Sequence, residues 1–162
     1  MHQIVIDDEL RRAGVSRPNN PIGIGWAAPT IALAGTEEQK ERYLDPIFTG
    51  EEFWCQMFSE PDAGSDLANV STQARLVEDR WLVTGQKIWT SLAQFAQWAF
   101  VVCRTDPDTP RHAGLSYLLV PMDQPGVEER PNVQITGGTE GNEVCFKEAE
   151  TGLYTTQTVS TQ

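Results

Sequence analysis

Residues 54–74, WCQMFSEPDAGSDLANVSTQA, hold the change of pattern that decides the fold. An apolar run ends at Phe58, and Ser59, Glu60, Pro61, Asp62, Ala63, Gly64, Ser65 and Asp66 follow at once. Such a cluster ends a strand. Pro61 fixes one φ, Ser59 and Asp62 can bond nearby backbone, and Gly64 admits a positive φ. The same features expose backbone N–H groups and two hydroxyls at a strand end, which is also how a loop receives an anion or a polar ring edge. Local chemistry leaves both readings open.

Upstream of this stretch the pattern is helical. Residues 21–51 open with Pro21 and then IGIGWAAPTIALAG, apolar nearly all round, which predicts a buried helix broken near Pro29. GTEEQKERYLDPIFTG then offers a capping box, Thr36 with Gln39, and two glutamates in the first turn where the helix dipole favours them. Tyr43, Leu44, Ile47 and Phe48 form its apolar stripe; Pro46 should end or kink the helix and Gly50 should close it. Residues 1–20 read as a polar lead, with SRPNNP as a linker.

Downstream, over residues 52–147, the period changes to two. FWCQMF is one strand. VSTQARLVE is a second, with Val70, Thr72, Ala74 and Leu76 on one face. WLVTGQKIWT follows with a bend or bulge at Gly85, and FAQWAFVVCRT is apolar enough to be central. LSYLLVP, VEERPNVQIT and NEVCF complete seven strands, Pro131 placing VEERPNVQIT at an edge. The expected class is α+β: a short N-terminal helical segment, then a mainly antiparallel seven-strand barrel or sandwich. Residues 148–162 lose all periodicity and read as a divergent, loose tail.

Composition narrows the function. A formal charge of −11 argues against nucleic acid and anionic membranes, which need clustered Lys and Arg. It does not exclude a phosphate-bearing ligand held by backbone N–H groups. Cys55, Cys103 and Cys145 are an odd, widely spaced set in apolar stretches, which reads as buried hydrophobes in a reducing, cytoplasmic compartment. The N-terminus shows no basic n-region or apolar h-region, and no apolar run is long enough to span a bilayer.

Conventional catalytic constellations are missing. Ser65 and Ser116 are not in a G-x-S-x-G elbow, and no P-loop or G-x-G-x-x-G opens a helix. His2 is terminal and His112 lies in a polar loop without an orienting partner. Asp7/Asp8 and Glu128/Glu129 are solvated charge, and no metal-ligand cluster is visible. What remains beside SEPDAGSD is WLVTGQKIWTS, residues 81–91. There Trp89, Thr90 and Ser91 offer an aromatic face and hydroxyls for a flat heterocycle, or simply a core tryptophan.

These segments, in order over residues of about 21 to 146, resemble the acyl-CoA dehydrogenase family. PTIALAGTEEQKERYL precedes FWCQMFSEPDAGSD, then WLVTGQKIWTS, GLSYLLVPMDQPG and NEVCF. The resemblance implies that residues 52–147 are the flavin-binding middle β-domain and 21–51 the end of the N-terminal helical domain. It implies FAD as cofactor, with Gln56, Met57, Phe58 and Ser59 on the pyrimidine side of the flavin and the Ser59 hydroxyl bonded to it. Gly64 and Ser65 match positions that serve the cofactor phosphates, Ser65 also the thioester ligand. Trp89, Thr90 and Ser91 match the segment beside the isoalloxazine ring. An acyl-CoA thioester and an electron-transfer flavoprotein are the implied partners. The family's catalytic glutamate lies in a C-terminal helical bundle, and no carboxylate here matches it. The chain is therefore expected to be inactive alone, and its tail resembles that of a truncated or frameshifted product. Self-association through exposed apolar faces is expected with it. A flavin oxidase of the same architecture and a non-catalytic β-domain module remain as alternatives.

Overall fold

The computed structural model describes residues 2–16, 19–135, 137–138, 141–152 and 156–158. The helices are α1 (His2–Arg12), α2 (Ala28–Ala34) and α3 (Glu37–Thr49), with a π-helical turn, Gly23–Ala27, leading into α2. The strands are β1 (Trp54–Met57), β2 (Gln73–Val77), β3 (Arg80–Ser91), β4 (Trp98–Arg104), β5 (Leu115–Pro121), β6 (Val127–Asn132), β7 (Gly141–Gly152) and β8 (Thr156–Thr158).

The predicted capping box starts α3. Thr36 Oγ1 accepts from the Gln39 N–H at 3.2 Å, and Gln39 Oε1 accepts from the Thr36 N–H at 2.9 Å. Gly50 closes the helix in the left-handed region, φ 76°. Pro46 does not end it: the helix runs through to Thr49, because buried Tyr43 and Ile47 pin its last turns on the core. Phe48, expected in the stripe, is exposed. The preceding segment is one-sided too. Ala27, Ala28 and Ile31 are buried, whereas Trp26 and Leu33 are exposed. Beside Pro29 the helix changes type without stopping: the π-helical turn Gly23–Ala27 passes into α2 one residue before it.

Two expectations for the N-terminus change. The polar lead contains a helix, α1, carrying exposed Asp8–Arg11 and Glu9–Arg12 pairs. Asn20, read as linker, is a buried clamp: its Nδ2 donates to Ile47 O and Glu52 O, and its Oδ1 accepts from the Gly23 and Trp54 N–H groups. One side chain thus joins the helical segment to the start of β1. Arg17 and Pro18 lie outside the described residues.

The seven expected strands are present, and β8, inside the expected tail, is an eighth. Their order is β6-β7-β3-β2-β4-β5-β8, with β1 beside β4. The sheet is mixed: β1–β4 and β2–β4 are parallel and the other pairings antiparallel. β6 is an edge, as Pro131 requires. β7 runs past Phe146 to Gly152, so the expected loose tail is ordered strand over residues 148–152. Gly85 sits at a bulge, where a Cβ would lie 2.4 Å from Thr72 Oγ1. β2 is short, and Leu76 is exposed although Val70, Thr72 and Ala74 are buried.

The sheet curls, with Thr151 Oγ1 on β7 donating to Leu119 O on β5 at 2.5 Å. Alternation in β1, β4 and β5 then feeds two cores. Cys55, Met57, Val101, Cys103 and Leu118 fill the inside of the curl. Trp54, Phe100, Val102, Tyr117 and Leu119 pack outward against Ile31, Tyr43 and Ile47 of the helices. Cys55 and Cys103 are buried as expected, but Cys145 is half-buried.

Candidate functional site

Period two decides which residues of β1 can meet a ligand. Cys55 and Met57 point into the curl, so Met57 is wholly buried. Gln56 and Phe58 take the opposite face, toward the helical segment, and remain half-buried. Ser59 leaves the strand, and its carbonyl accepts from the Ile88 N–H at 2.9 Å. That bond brings the two motifs together.

On β3 a second bulge sets the direction of the side chains. The pairing with β7 slips between Lys87 and Thr90. Regular alternation from buried Val83 and Lys87 would send Trp89 inward. The extra residue sends Thr90 inward instead, and Trp89, at φ 58°, stands 70% exposed. Thr90 O accepts from Asn142 Nδ2 at 3.1 Å. Trp89 is therefore not the core tryptophan that its segment alone allows.

Gln56, Phe58 and Ser59 meet Ile88, Trp89 and Ser91 in a cleft of about 200 Å³, whose far wall is Ile22 and Trp26 from the helical segment. A second hollow of about 410 Å³ adjoins it, sharing Trp26, Gln56 and Phe58 and reaching Tyr117. Burial pushes the Tyr117 hydroxyl pKa up, so it stays a donor. Of the expected site residues, Gln56, Phe58, Ser59, Trp89 and Ser91 line the cleft. Met57 and Thr90 are core residues behind it. Gly64 and Ser65 lie on the exposed loop beyond it. Gly64 does not use the left-handed region.

The loop itself is a closed turn. Glu60 N–H donates to Ala63 O at 2.8 Å and Ala63 N–H to Glu60 O at 3.2 Å. Beneath it lies a pair that sequence reading missed. Lys87 Nζ, with its side chain fully buried, donates to Glu60 Oε1 (2.8 Å), Phe58 O (3.0 Å) and Val102 O (2.7 Å). All three ammonium protons are used. Glu60 also accepts from the Ser71 N–H and hydroxyl and the Thr72 N–H. Burial alone raises the Glu60 pKa, but donation from Lys87, Thr72 and Ser71 outweighs it and holds the carboxyl at about 2. Burial pulls Lys87 down, against Glu60. The filled donor and acceptor sets make the ionised pair the stable form. The available signal was a lysine in phase with inward-facing Val83, which demands a buried carboxylate.

The cleft's chemistry is that of a receptor for a flat, polar-edged ring. Trp26, Phe58 and Trp89 supply aromatic surface. Among the described residues, the side chains of Gln56, Ser59 and Ser91 make no hydrogen bond, so donors and acceptors are free for a ligand. Among the described residues no carboxylate lines the cleft, and no group of His, Cys, Asp or Glu could hold a metal.

Comparison with known proteins gives a consistent picture. The family model "Acyl-CoA dehydrogenase, middle domain" matches residues 55–149. Acyl-CoA dehydrogenase IpdE1 of Mycolicibacterium smegmatis is 51% identical over 160 residues, spanning 93% of this chain and 41% of its own. Acyl-CoA dehydrogenase FadE34 of Mycobacterium tuberculosis is 53% identical over 142 residues, 88% of this chain and 20% of its own. Among solved structures, the Tcur3481-Tcur3483 steroid ACAD superposes with a TM-score of 0.82 at 34% identity, covering 92% of this chain and 38% of that one. The ChsE4-ChsE5 complex of Mycobacterium tuberculosis gives 0.82 at 34%, covering 95% and 39%. The chain thus spans about two fifths or less of the relatives that it matches.

Proposed function

The chain belongs to the acyl-CoA dehydrogenase family, and from that membership we propose that its cleft holds the isoalloxazine ring of FAD. The observation that carries the reading is the meeting of Gln56, Phe58 and Ser59 with Trp89 and Ser91 across a single cleft. The residues present fit the group. Trp89 and Phe58 would pack on the ring, while Ser59, Ser91 and Gln56 would bond its polar edge. Gly64 and Ser65, outside the cleft, are assigned to the phosphate and thioester portions. Met57 and Thr90 would act through their backbone, since their side chains are buried.

When bound, FAD supplies the hydride acceptor for α,β-dehydrogenation of an acyl-CoA thioester. This chain's residues bind and orient the ring and shield one side of it from water. Among the described residues no carboxylate lines the cleft, so none of the residues that line it would serve as the base for the α-proton. That base would come from outside the described residues. A ring-bearing, steroid-type acyl group is the substrate class that the steroid ACAD relative supports. A partner subunit belongs to the same proposal, since one relative is a complex of two proteins, and an electron-transfer flavoprotein would reoxidise the flavin. Unpaired cysteines fit a cytoplasmic site of action. No described helix is long and apolar enough to cross a membrane.

Titrating the purified chain with FAD tests the reading. Stacking on Trp89 predicts saturable quenching of flavin fluorescence, weakened by Ser59→Ala with Ser91→Ala. No quenching at any FAD concentration would contradict it.

A further inference from the structure

Lys87 and Glu60 touch no ligand-facing surface, yet each adjoins a wall of the cleft. Glu60 follows Ser59 directly, and Lys87 precedes Ile88 and Trp89. The Lys87 ammonium also holds the Phe58 carbonyl, so the side of the cleft contributed by β1 is fastened to the side contributed by β3 from behind. Its third bond, to Val102 O, fixes both to β4. The Glu60 carboxylate extends the anchor to Ser71 and Thr72.

A buried ion pair is a weak source of stability, because desolvation of two charges cancels most of their attraction. Its use here is explained better by geometry. Trp89 adopts a left-handed conformation that a bulky residue occupies only when its surroundings enforce it. The enforcement is visible on both sides: Lys87 is held by three acceptors, and Thr90 O is held by Asn142. We propose that the Lys87–Glu60 pair is a positioning device that sets the spacing between the Phe58–Ser59 and Ile88–Trp89 walls, and so the fit of the cleft to a flavin. The proposal rests on the flavin reading for its ligand. The coupling of the two walls does not.

The test uses the full chain with Glu60→Gln and Lys87→Met together, which removes both charges and leaves an acceptor for Ser71 and Thr72. Two quantities are measured: FAD affinity by fluorescence titration, and amide exchange of Ile88 relative to the rest of β3. The Ile88 amide reports the bond to Ser59 O. A general loss of stability would accelerate all of β3 alike. The expected result is a folded variant with FAD binding weakened at least tenfold and Ile88 exchange accelerated at least tenfold over its strand. A folded variant keeping both within twofold overturns the proposal. Should the double variant not fold, Ser71→Ala removes one hydroxyl donor from Glu60. It is expected to weaken FAD binding three- to fivefold with a smaller change at Ile88, and no change in either overturns the proposal. If the wild-type chain binds no FAD, the flavin reading fails and Ile88 exchange alone decides: selective acceleration supports the positioning role, its absence refutes it.

Discussion

Trp89 shows how much one inserted residue can decide. Regular alternation would bury it, and the slip between Lys87 and Thr90 turns it out to 70% exposure at φ 58°. A non-glycine residue there carries a backbone cost of about 1–2 kcal/mol. Trp89→Gly removes that cost but raises the entropy of the unfolded chain by a similar amount. Thermal unfolding of that variant is expected to match wild type within about 1 kcal/mol, while FAD binding falls about tenfold. A large loss of stability with FAD binding intact would refute the assignment. Glu60 gives a pH prediction. Its folded pKa lies below its ordinary value, so between about 4.5 and about 2 the unfolded chain binds more protons than the folded one. The stability that it contributes is complete above that window and lost as pH falls through it. Urea unfolding of wild type should therefore lose more stability between pH 5 and pH 3 than Glu60→Gln with Lys87→Met; equal losses would contradict the ionised pair. Ser59 and Ser91, singled out by their motifs, both line the cleft. The Lys87–Glu60 pair was missed although Lys87 is in phase with Val83, because its partner lies in a loop far away in sequence.

Elements were legible wherever a local signal had no competitor. The capping box, the closing Gly50, the edge strand with Pro131 and the bulge at Gly85 all lie where residue chemistry puts them. Signals failed where packing outweighed propensity. Pro46 sits inside α3 because the last turns are anchored through Tyr43 and Ile47, and β7 continues past Phe146 because β3 is long enough to pair with it. Gly85 is the sharpest test at this scale. A Cβ there would lie 2.7 Å from Thr72 Cα as well as crowding its hydroxyl, so only backbone movement relieves the clash. Gly85→Ala is expected to destabilise the fold by about 1–3 kcal/mol in chemical denaturation. A neutral effect would mean that β2 and β3 do not approach as described.

At the scale of the molecule, one curled sheet serves two cores. Its inner face closes on itself and its outer face carries the helices, and the cleft opens where the helical segment meets the ends of β1 and β3. The class, α+β, was legible from the switch of period after Phe53; the mixed pairing was not, since parallel β1–β4 contact depends on the path of the chain between them. Under the flavin reading, a cleft that no carboxylate among the described residues lines would hold a flavin without supplying a base. The chain alone is accordingly expected not to reduce an artificial electron acceptor with any acyl-CoA thioester, and thioester-dependent reduction would place a base among its own residues. The most direct test of the flavin site is an amide chemical-shift titration of the chain with FAD. Perturbations should concentrate at Gln56–Ser59 and Ile88–Ser91; perturbations absent from both segments, or confined to the separate hollow around Arg75 and Trp81, would contradict the account.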